Sequence, residues 1–336
     1  MLGPLLTGWL AMRFGWHVGF LAAAVGMALG MLAFVTTRHW LSDIGAPPAA
    51  PPGRRRRDLA ILTAAALTLW VGGVLLWTGT LAVRPDVLLD RATLVMLAMV
   101  GAYALWLLTG AGLTRQERRG VSVLLVLVAA STLFWAGYEQ AGSSLTLFAQ
   151  RHTASFVGGF EVPAAWFQAV PAAFVLTLAP ILAWVWVTLD TKHRNPSVIF
   201  KFALGLAGMA LGFLVMVGAA EAVGPSLVEG SGGASPLWLV LTYLLHTLGE
   251  LCLSPVGLSA TTRLTPRRYA GQAMGLWFTS IAMGNLLAGK LAASSDGADA
   301  RHLADDFFLM FVYGAAGVAA LLLAWPLLRR WATPER

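Results

Sequence analysis

The chain has 336 residues, of which 58% are hydrophobic and only 12% are charged, and its net charge is +7. This composition excludes an ordinary soluble domain and predicts an all-α polytopic membrane protein, because a helix satisfies its own backbone hydrogen bonds in lipid. The single cysteine, Cys252, excludes a disulfide framework, and the basic residues fall in loops between apolar runs, which indicates membrane topology and not nucleic-acid binding.

A helix needs about 20 mainly apolar residues to cross a bilayer. The chain begins with a shorter apolar stretch, from Leu2 to Met12, which predicts a stub. Nine longer segments follow, and these predicted spans cover residues 18–35, 59–83, 92–113, 120–148, 162–189, 198–223, 236–262, 269–293 and 307–328. We therefore expect nine membrane spans and one stub.

A polar stretch separates the first full segment from the second. Residues 46–53 are rich in proline, and residues 54–57 are four arginines, so this stretch predicts an extended linker. Of the 23 lysines and arginines, seventeen fall on the linker's side of the predicted membrane and six on the other. Because positive charges concentrate in cytoplasmic loops, the linker and the C-terminus are predicted to lie in the cytoplasm.

Residues 134–144, FWAGYEQAGSS, end an uncharged run that begins at Val121. A glutamate inside a span is costly unless it faces water or a partner, so Glu139 predicts an ion or substrate pathway. At 100° per residue, Trp135, Glu139 and Ser143 share one face of a continuous helix. The stretch therefore predicts a polar stripe with an aromatic wall.

A second acidic residue lies in the apolar segment 236–262. His246 and Glu250 are one helical turn apart, and Pro255 and Gly257 are expected to weaken the helix just beyond them. His246 is a candidate for tuning the proton affinity of Glu250, although a packing histidine with one hydrogen bond explains the sequence equally well. Two carboxylates on two helices predict a common cavity.

The spacing of small residues predicts close helix packing. Gly205, Gly208 and Gly212 form one set, and Gly284 with Ala288 forms another. Small side chains allow helix backbones to approach closely in a membrane, so we assign both sets a structural role.

Five stretches, in order along the chain, resemble motifs of the proton-dependent oligopeptide transporter family of the major facilitator superfamily. They are residues 15–20, 134–144, 162–168, 249–259 and 271–278, which are similar to its sixth, seventh, eighth, tenth and eleventh helices. The resemblance implies a major facilitator fold that lacks about the first four helices and has an inserted helix pair. It implies four parts: a remnant of the N-terminal six-helix bundle (1–37), a cytoplasmic linker (38–58), the inserted transmembrane pair (59–115) and the C-terminal six-helix bundle (116–336).

The resemblance also implies roles for particular side chains. The substrate-binding residues would be Glu250, which meets the amino group of a bound peptide, with Trp135, Trp277 and Gln168. Proton coupling and gating would fall to Glu139, Tyr138 and Ser143. Val170 departs from the family, which usually has an asparagine there, and this difference predicts a shifted substrate range.

The function implied is proton-coupled symport of di- and tripeptides by alternating access, as a monomer in a bacterial inner membrane. Its partners would be the peptide, protons and the lipid bilayer, with no nucleic acid, no metal and no cofactor beyond the proton gradient. The chain as given is expected to be a partial, inactive form. Two alternatives stay open: a related transporter of another small organic solute, and a non-transporting membrane fragment. An enzyme is disfavoured because the sequence offers no nucleophile with a base and no metal-ligand spacing.

Overall fold

The computed structural model describes residues 2–41, 54–80, 85–154, 156–157, 160–223, 233–294 and 300–332. Its α-helices are α1 (Leu2–Phe14), α2 (Trp16–Thr37), α3 (Arg54–Trp77), α4 (Pro85–Thr109), α5 (Arg115–Tyr138), α6 (Ser144–Arg151), α7 (Ala169–Thr191), α8 (Val198–Val223), α9 (Pro236–Leu264), α10 (Ala270–Ser294) and α11 (Ala300–Ala332). Four 3-10 segments cover Arg38–Leu41, Glu139–Gly142, Ala164–Gln168 and Arg267–Tyr269. Two short strands, β1 (Phe156–Val157) and β2 (Phe160–Glu161), pair antiparallel with Phe156 opposite Glu161.

The predicted all-α membrane architecture is confirmed. Eight helices among the described residues are long and apolar enough to cross a membrane, and they account for eight of the nine predicted spans. The ninth, α10, is long enough at 25 residues but falls outside that set. Its polar residues, among them Gln272, Asn285 and Lys290, make it less apolar than the others. The predicted stub is a helix of 13 residues, α1.

Contacts divide the chain into two units. One unit consists of Met1–Gly19 with Thr93–Arg336, and it contains the large hydrophobic core. The other unit is Phe20–Ala92, where most described side chains are exposed. Exposed apolar helices are what a surrounding bilayer favours, since lipid takes the place of a protein core.

The predicted linker, residues 38–58, differs from the structure at both ends. Residues 42–53 lie outside the described residues, whereas Arg38–Leu41 form a 3-10 turn that continues α2. The arginine run is helical, because α3 already begins at Arg54. Arginine is a good helix former, so the helix of the apolar segment extends through it.

The core of the first unit forms where α5, α8, α9, α10 and α11 pack together. Its largest fully buried side chains include Trp277, Phe134, Phe202, Phe213 and Phe307. Burial of such aromatic side chains contributes about 1.5–3 kcal/mol each relative to exposure to water. The figure refers to transfer from water, because lipid tails are as apolar as the protein core.

The predicted close approach of small residues is confirmed. A Cβ on Gly208 would lie 2.7 Å from the carbonyl oxygen of Leu245, and one on Gly212 would collide with the ring of His246. A Cβ on Gly284 would likewise collide with Trp135. The absence of a side chain at these glycines therefore allows the backbone of α8 to contact α9, and the backbone of α10 to contact α5.

The segment 120–148 is not the continuous helix that the sequence predicts. Helix α5 starts at a capping box in which Thr114 and Glu117 satisfy each other's backbone N–H groups. It ends at Tyr138, a 3-10 turn follows, and α6 resumes at Ser144. The shared face predicted for Trp135, Glu139 and Ser143 assumed an unbroken 100° rotation per residue. That rotation continues from Trp135 to Glu139, whose backbone N–H donates to the carbonyl oxygen of Trp135, but it breaks before Ser143, so the prediction is wrong for Ser143.

The opposite correction applies to α9. The sequence predicts a weakened helix after Glu250, yet α9 runs without interruption to Leu264 with Pro255 inside it. Neighbouring helices and local adjustments allow a proline within a membrane helix without ending it.

Candidate functional site

The two acidic motifs meet at one hydrogen bond. The hydroxyl of Tyr138, at the end of α5, donates to Oε2 of Glu250 in the middle of α9 over 2.6 Å. Both side chains are partly buried, and they are separated by 112 residues along the chain. A short bond from a hydroxyl to a carboxylate is among the stronger protein hydrogen bonds. The bond fixes the orientation of Glu250.

Glu139 adds a second carboxyl group to this site. It lies within electrostatic range of Glu250 and is partly buried. Among the described residues, no lysine, arginine or histidine forms an ion pair with either glutamate. Two carboxylates near each other in a medium of low dielectric constant repel, so the site favours a bound cation or proton.

Aromatic rings pack against the ring of Tyr138. The ring of Trp135 lies edge-on to Tyr138 with centroids 5.3 Å apart, and Phe134 stacks on Tyr138 at 5.6 Å. Trp135 is buried, and its indole N–H has no hydrogen-bond partner among the described residues. The predicted aromatic wall therefore exists on α5, built from Phe134, Trp135 and Tyr138 within little more than one helical turn.

Trp277 takes a different place from the other predicted pocket residues. It is 1% exposed, lies edge-on to Phe202, and covers Gly257, where a Cβ would collide with its ring. In this structure its contacts are those of a core residue. A role in lining the substrate pocket stays a prediction.

Ser143 binds Gln140, a residue for which the sequence predicts no role. The hydroxyls of Ser143 and Ser144 donate to Oε1 of Gln140 over 2.9 and 2.8 Å. The amide nitrogen of Gln140 donates to the carbonyl oxygens of Ala136 and Ala288 over 3.3 and 3.2 Å. Gln140 is 2% exposed, so it links α5, α6 and α10 from inside the protein. The signal in the sequence that could have identified Gln140 was its position directly after Glu139.

His246 is buried one turn from Glu250, and its ring centroid lies 6.4 Å from that of Tyr138, but none of its described hydrogen bonds is to Glu250. Its Nε2 is 3.1 Å from the carbonyl oxygen of Met209, and its ring centroid is 4.9 Å from that of Phe213. Its Nδ1 is buried without a hydrogen-bond partner among the described residues. These contacts are those of a packing histidine, and its predicted effect on Glu250 stays a prediction.

Gln168 and Val170 lie where the chain enters α7. Gln168 is exposed and donates to the hydroxyl of Thr146 over 3.3 Å. Val170 is partly buried against the core. Neither side chain contacts Glu250 through a hydrogen bond among the described residues.

One buried cation lies inside the predicted span 198–223. Lys201 is 8% exposed, and its ammonium lies 4.4 Å from the centroid of the Trp186 ring. A desolvated lysine over a tryptophan ring gains a cation-π interaction that partly offsets burial. Its place in the first turn of α8 was the only signal in the sequence.

Comparison with known proteins agrees with this architecture. The family model described as "PTR2: POT family" matches residues 1–305. Peptide transporter YePEPT of Yersinia enterocolitica is 38% identical over 86% of this chain, and the uncharacterized transporter YclF of Bacillus subtilis is 33% identical over 98%. A crystal structure of peptide transporter POT in complex with sulfate covers 98% of the chain at 32% identity, with a TM-score of 0.83.

The matches also show how much of each relative this chain represents. It spans 57% of YePEPT, 63% of YclF and 65% of the solved transporter. The family consists of transporters and not of enzymes, and the major facilitator fold implied by the sequence is the fold of its solved member. The chain therefore belongs to the POT family of membrane transporters.

Proposed function

We propose that this chain supplies the amino-end and proton-coupling part of a proton-coupled symporter for di- and tripeptides. The observation that carries the proposal is the 2.6 Å bond from Tyr138 to Glu250, which joins the two acidic motifs in one site. Relatives support the substrate class: a Lactococcus lactis protein 27% identical to this chain is named a di-/tripeptide transporter.

Glu250 is the proposed partner of the peptide's ammonium group. Tyr138 holds one of its carboxylate oxygens, and the other oxygen is left to accept from a ligand. A buried carboxylate needs a compensating cation, and a peptide ammonium provides one. The neighbouring aromatic rings of Trp135 and Tyr138 offer an apolar and cation-π surface to the first side chain of the peptide.

Glu139 is the proposed proton-coupling group. Its charge and that of Glu250 repel when both carboxyls are ionised, and either a proton or an ammonium relieves the repulsion. Proton and peptide therefore act on the same pair of carboxylates, which is a physical basis for coupling them. The cycle uses the proton gradient and needs no other cofactor.

The proposal includes an orientation. The loops that carry seventeen of the 23 lysines and arginines face the cytoplasm of a bacterial cell, together with the C-terminus. The protein acts in the inner membrane as a monomer.

A second candidate is transport of another small organic solute with an amino group. Val170 favours it, because a valine side chain neither donates nor accepts a hydrogen bond where the family usually presents an asparagine. Fewer polar contacts at the amino end would relax the demand for a peptide.

Binding of labelled dialanine to the purified chain tests the proposal. Dialanine should bind, and N-acetyl-dialanine, which has no ammonium, should bind at least about tenfold more weakly, equal to about 1.4 kcal/mol. Glu250→Gln should weaken dialanine binding by a similar factor, whereas Glu221→Gln, an exposed glutamate on α8, should leave it unchanged.

A pH indicator in weak buffer then reports protons exchanged when dialanine binds. Glu139→Gln should keep most of the binding and lose the proton exchange. Equal binding of the free and acetylated peptides would contradict the role of Glu250. If Glu139→Gln lost dialanine binding but kept the same number of protons exchanged per bound peptide, the role of Glu139 would be contradicted.

A further inference from the structure

A cavity lies away from the two glutamates. It has a volume of about 640 Å³ and is enclosed by the start of α5, the entry to α8 and the ends of α9 and α11. Along the continuous helix α9, Arg263 at the cavity is about 20 Å from Glu250, from 1.5 Å of rise per residue. The cavity is therefore distinct from the proposed peptide site.

Its lining combines charge with apolar surface. Arg263 and Arg329 provide two guanidinium groups, and Val198, Leu264 and Trp325 are partly buried apolar residues in its walls. No aspartate or glutamate lines it among the described residues. Arg263 forms no ion pair with a described carboxylate. The positive charge of Arg263 in the cavity is therefore not neutralised by a described carboxylate.

The location of the cavity restricts its ligand. It lies at the end of the unit where α9 and α11 finish and α5 begins, the end that also carries Arg115, Arg118 and Arg330. An anion is attracted there, and an apolar wall at the level of the helix ends suits the upper part of an acyl chain. A free phosphate would use the arginines but leave the apolar walls and most of the volume unused.

We propose that this cavity binds the headgroup of an anionic phospholipid, with the glycerol and first acyl carbons against the partly buried side chains of Val198, Leu264 and Trp325. Basic pockets between membrane helices recognise acidic headgroups through arginine and lysine. The ligand is thus a structural lipid and not a transported solute. Only the leaflet in which it resides depends on the proposed orientation.

The test is native mass spectrometry of the purified 336-residue chain in detergent. Phosphatidylglycerol and phosphatidylcholine with the same acyl chains are titrated separately, and inorganic phosphate is added as a competitor. The variant is Arg263→Gln. The matched control is Arg267→Gln, an exposed arginine on the following 3-10 turn that does not line the cavity.

Phosphatidylglycerol should bind at least about fivefold more tightly than phosphatidylcholine. Arg263→Gln should remove about fivefold of that affinity, equal to about 1 kcal/mol, and Arg267→Gln should not. Equal binding of the two lipids by the unaltered chain overturns the proposal without reference to any variant. Equal losses in both variants also overturn it, because the attraction would then come from the general surface charge. Displacement of the lipid by millimolar phosphate would assign the site to a free anion instead.

Discussion

The bond between Tyr138 and Glu250 permits a quantitative test, because it joins two helices through one hydroxyl. Tyr138→Phe removes only that oxygen and keeps the ring contacts with Phe134 and Trp135. A hydrogen bond to a charged group contributes about 1.5–3 kcal/mol, against about 0.5–1.5 kcal/mol for a neutral pair. We expect Tyr138→Phe to lower the free energy of unfolding by about 1.5–3 kcal/mol when Glu250 is ionised.

A double-mutant cycle isolates the interaction. The free energy of unfolding in detergent is measured for Tyr138→Phe, Glu250→Met and the double variant, and the two single effects are compared with the combined one; methionine is used because glutamine would keep an oxygen that accepts from Tyr138. Tyr313→Phe, at an exposed position on α11, is the matched control and should change stability by less than about 0.5 kcal/mol. A coupling energy below about 0.5 kcal/mol would refute the idea that this bond orients Glu250.

Two further predictions concern packing and the buried amide. Gly208→Ala should lower the free energy of unfolding by about 1–3 kcal/mol, because the new methyl group forces α8 away from the Leu245 carbonyl. Gly275→Ala, with open space around it, should be neutral or stabilising by up to about 1 kcal/mol. Equal melting temperatures of the two variants would contradict the close approach of α8 and α9. Gln140→Leu should lower the free energy of unfolding by at least about 1–3 kcal/mol, because it leaves Ser143, Ser144 and the Ala288 carbonyl without their hydrogen-bond partner. Gln168→Leu, at an exposed position, should lower it by less than about 1 kcal/mol. A smaller loss at Gln140 than at Gln168 would contradict a stabilising role for the buried amide.

Several helix boundaries were predictable because lipid leaves a spanning segment few choices. Residues 198–223 were assigned from apolar composition alone, and α8 covers the same residues. The same physical rule explains why Pro255 does not end α9. Where the backbone must satisfy its hydrogen bonds internally, length and apolarity outweigh a local helix breaker.

The arrangement of side chains was less predictable, because it depends on breaks that composition does not reveal. A single 3-10 turn after Tyr138 rotates everything beyond it and invalidates the predicted face of Ser143. Sequence reasoning identified Glu139 and Glu250 from the cost of burying a carboxylate, but it could not show that Tyr138 connects them. Nor could it distinguish Trp135, beside that bond, from Trp277, which packs on Gly257 in the core.

The 3-10 turn that carries Glu139 is held at both ends by polar bonds of different kinds. Before it, Tyr138 is bound to a carboxylate on α9, and after its first residue Gln140 is bound to a backbone carbonyl on α10. The second bond does not depend on charge, whereas the first weakens when Glu250 gains a proton or shares its charge with a ligand ammonium. A change of charge at Glu250 therefore loosens α5 from α9 while α10 retains its hold. Under the proposed function, we expect the movement that follows substrate binding to begin at this turn, because one of its two attachments depends on the charge of Glu250 and the other does not.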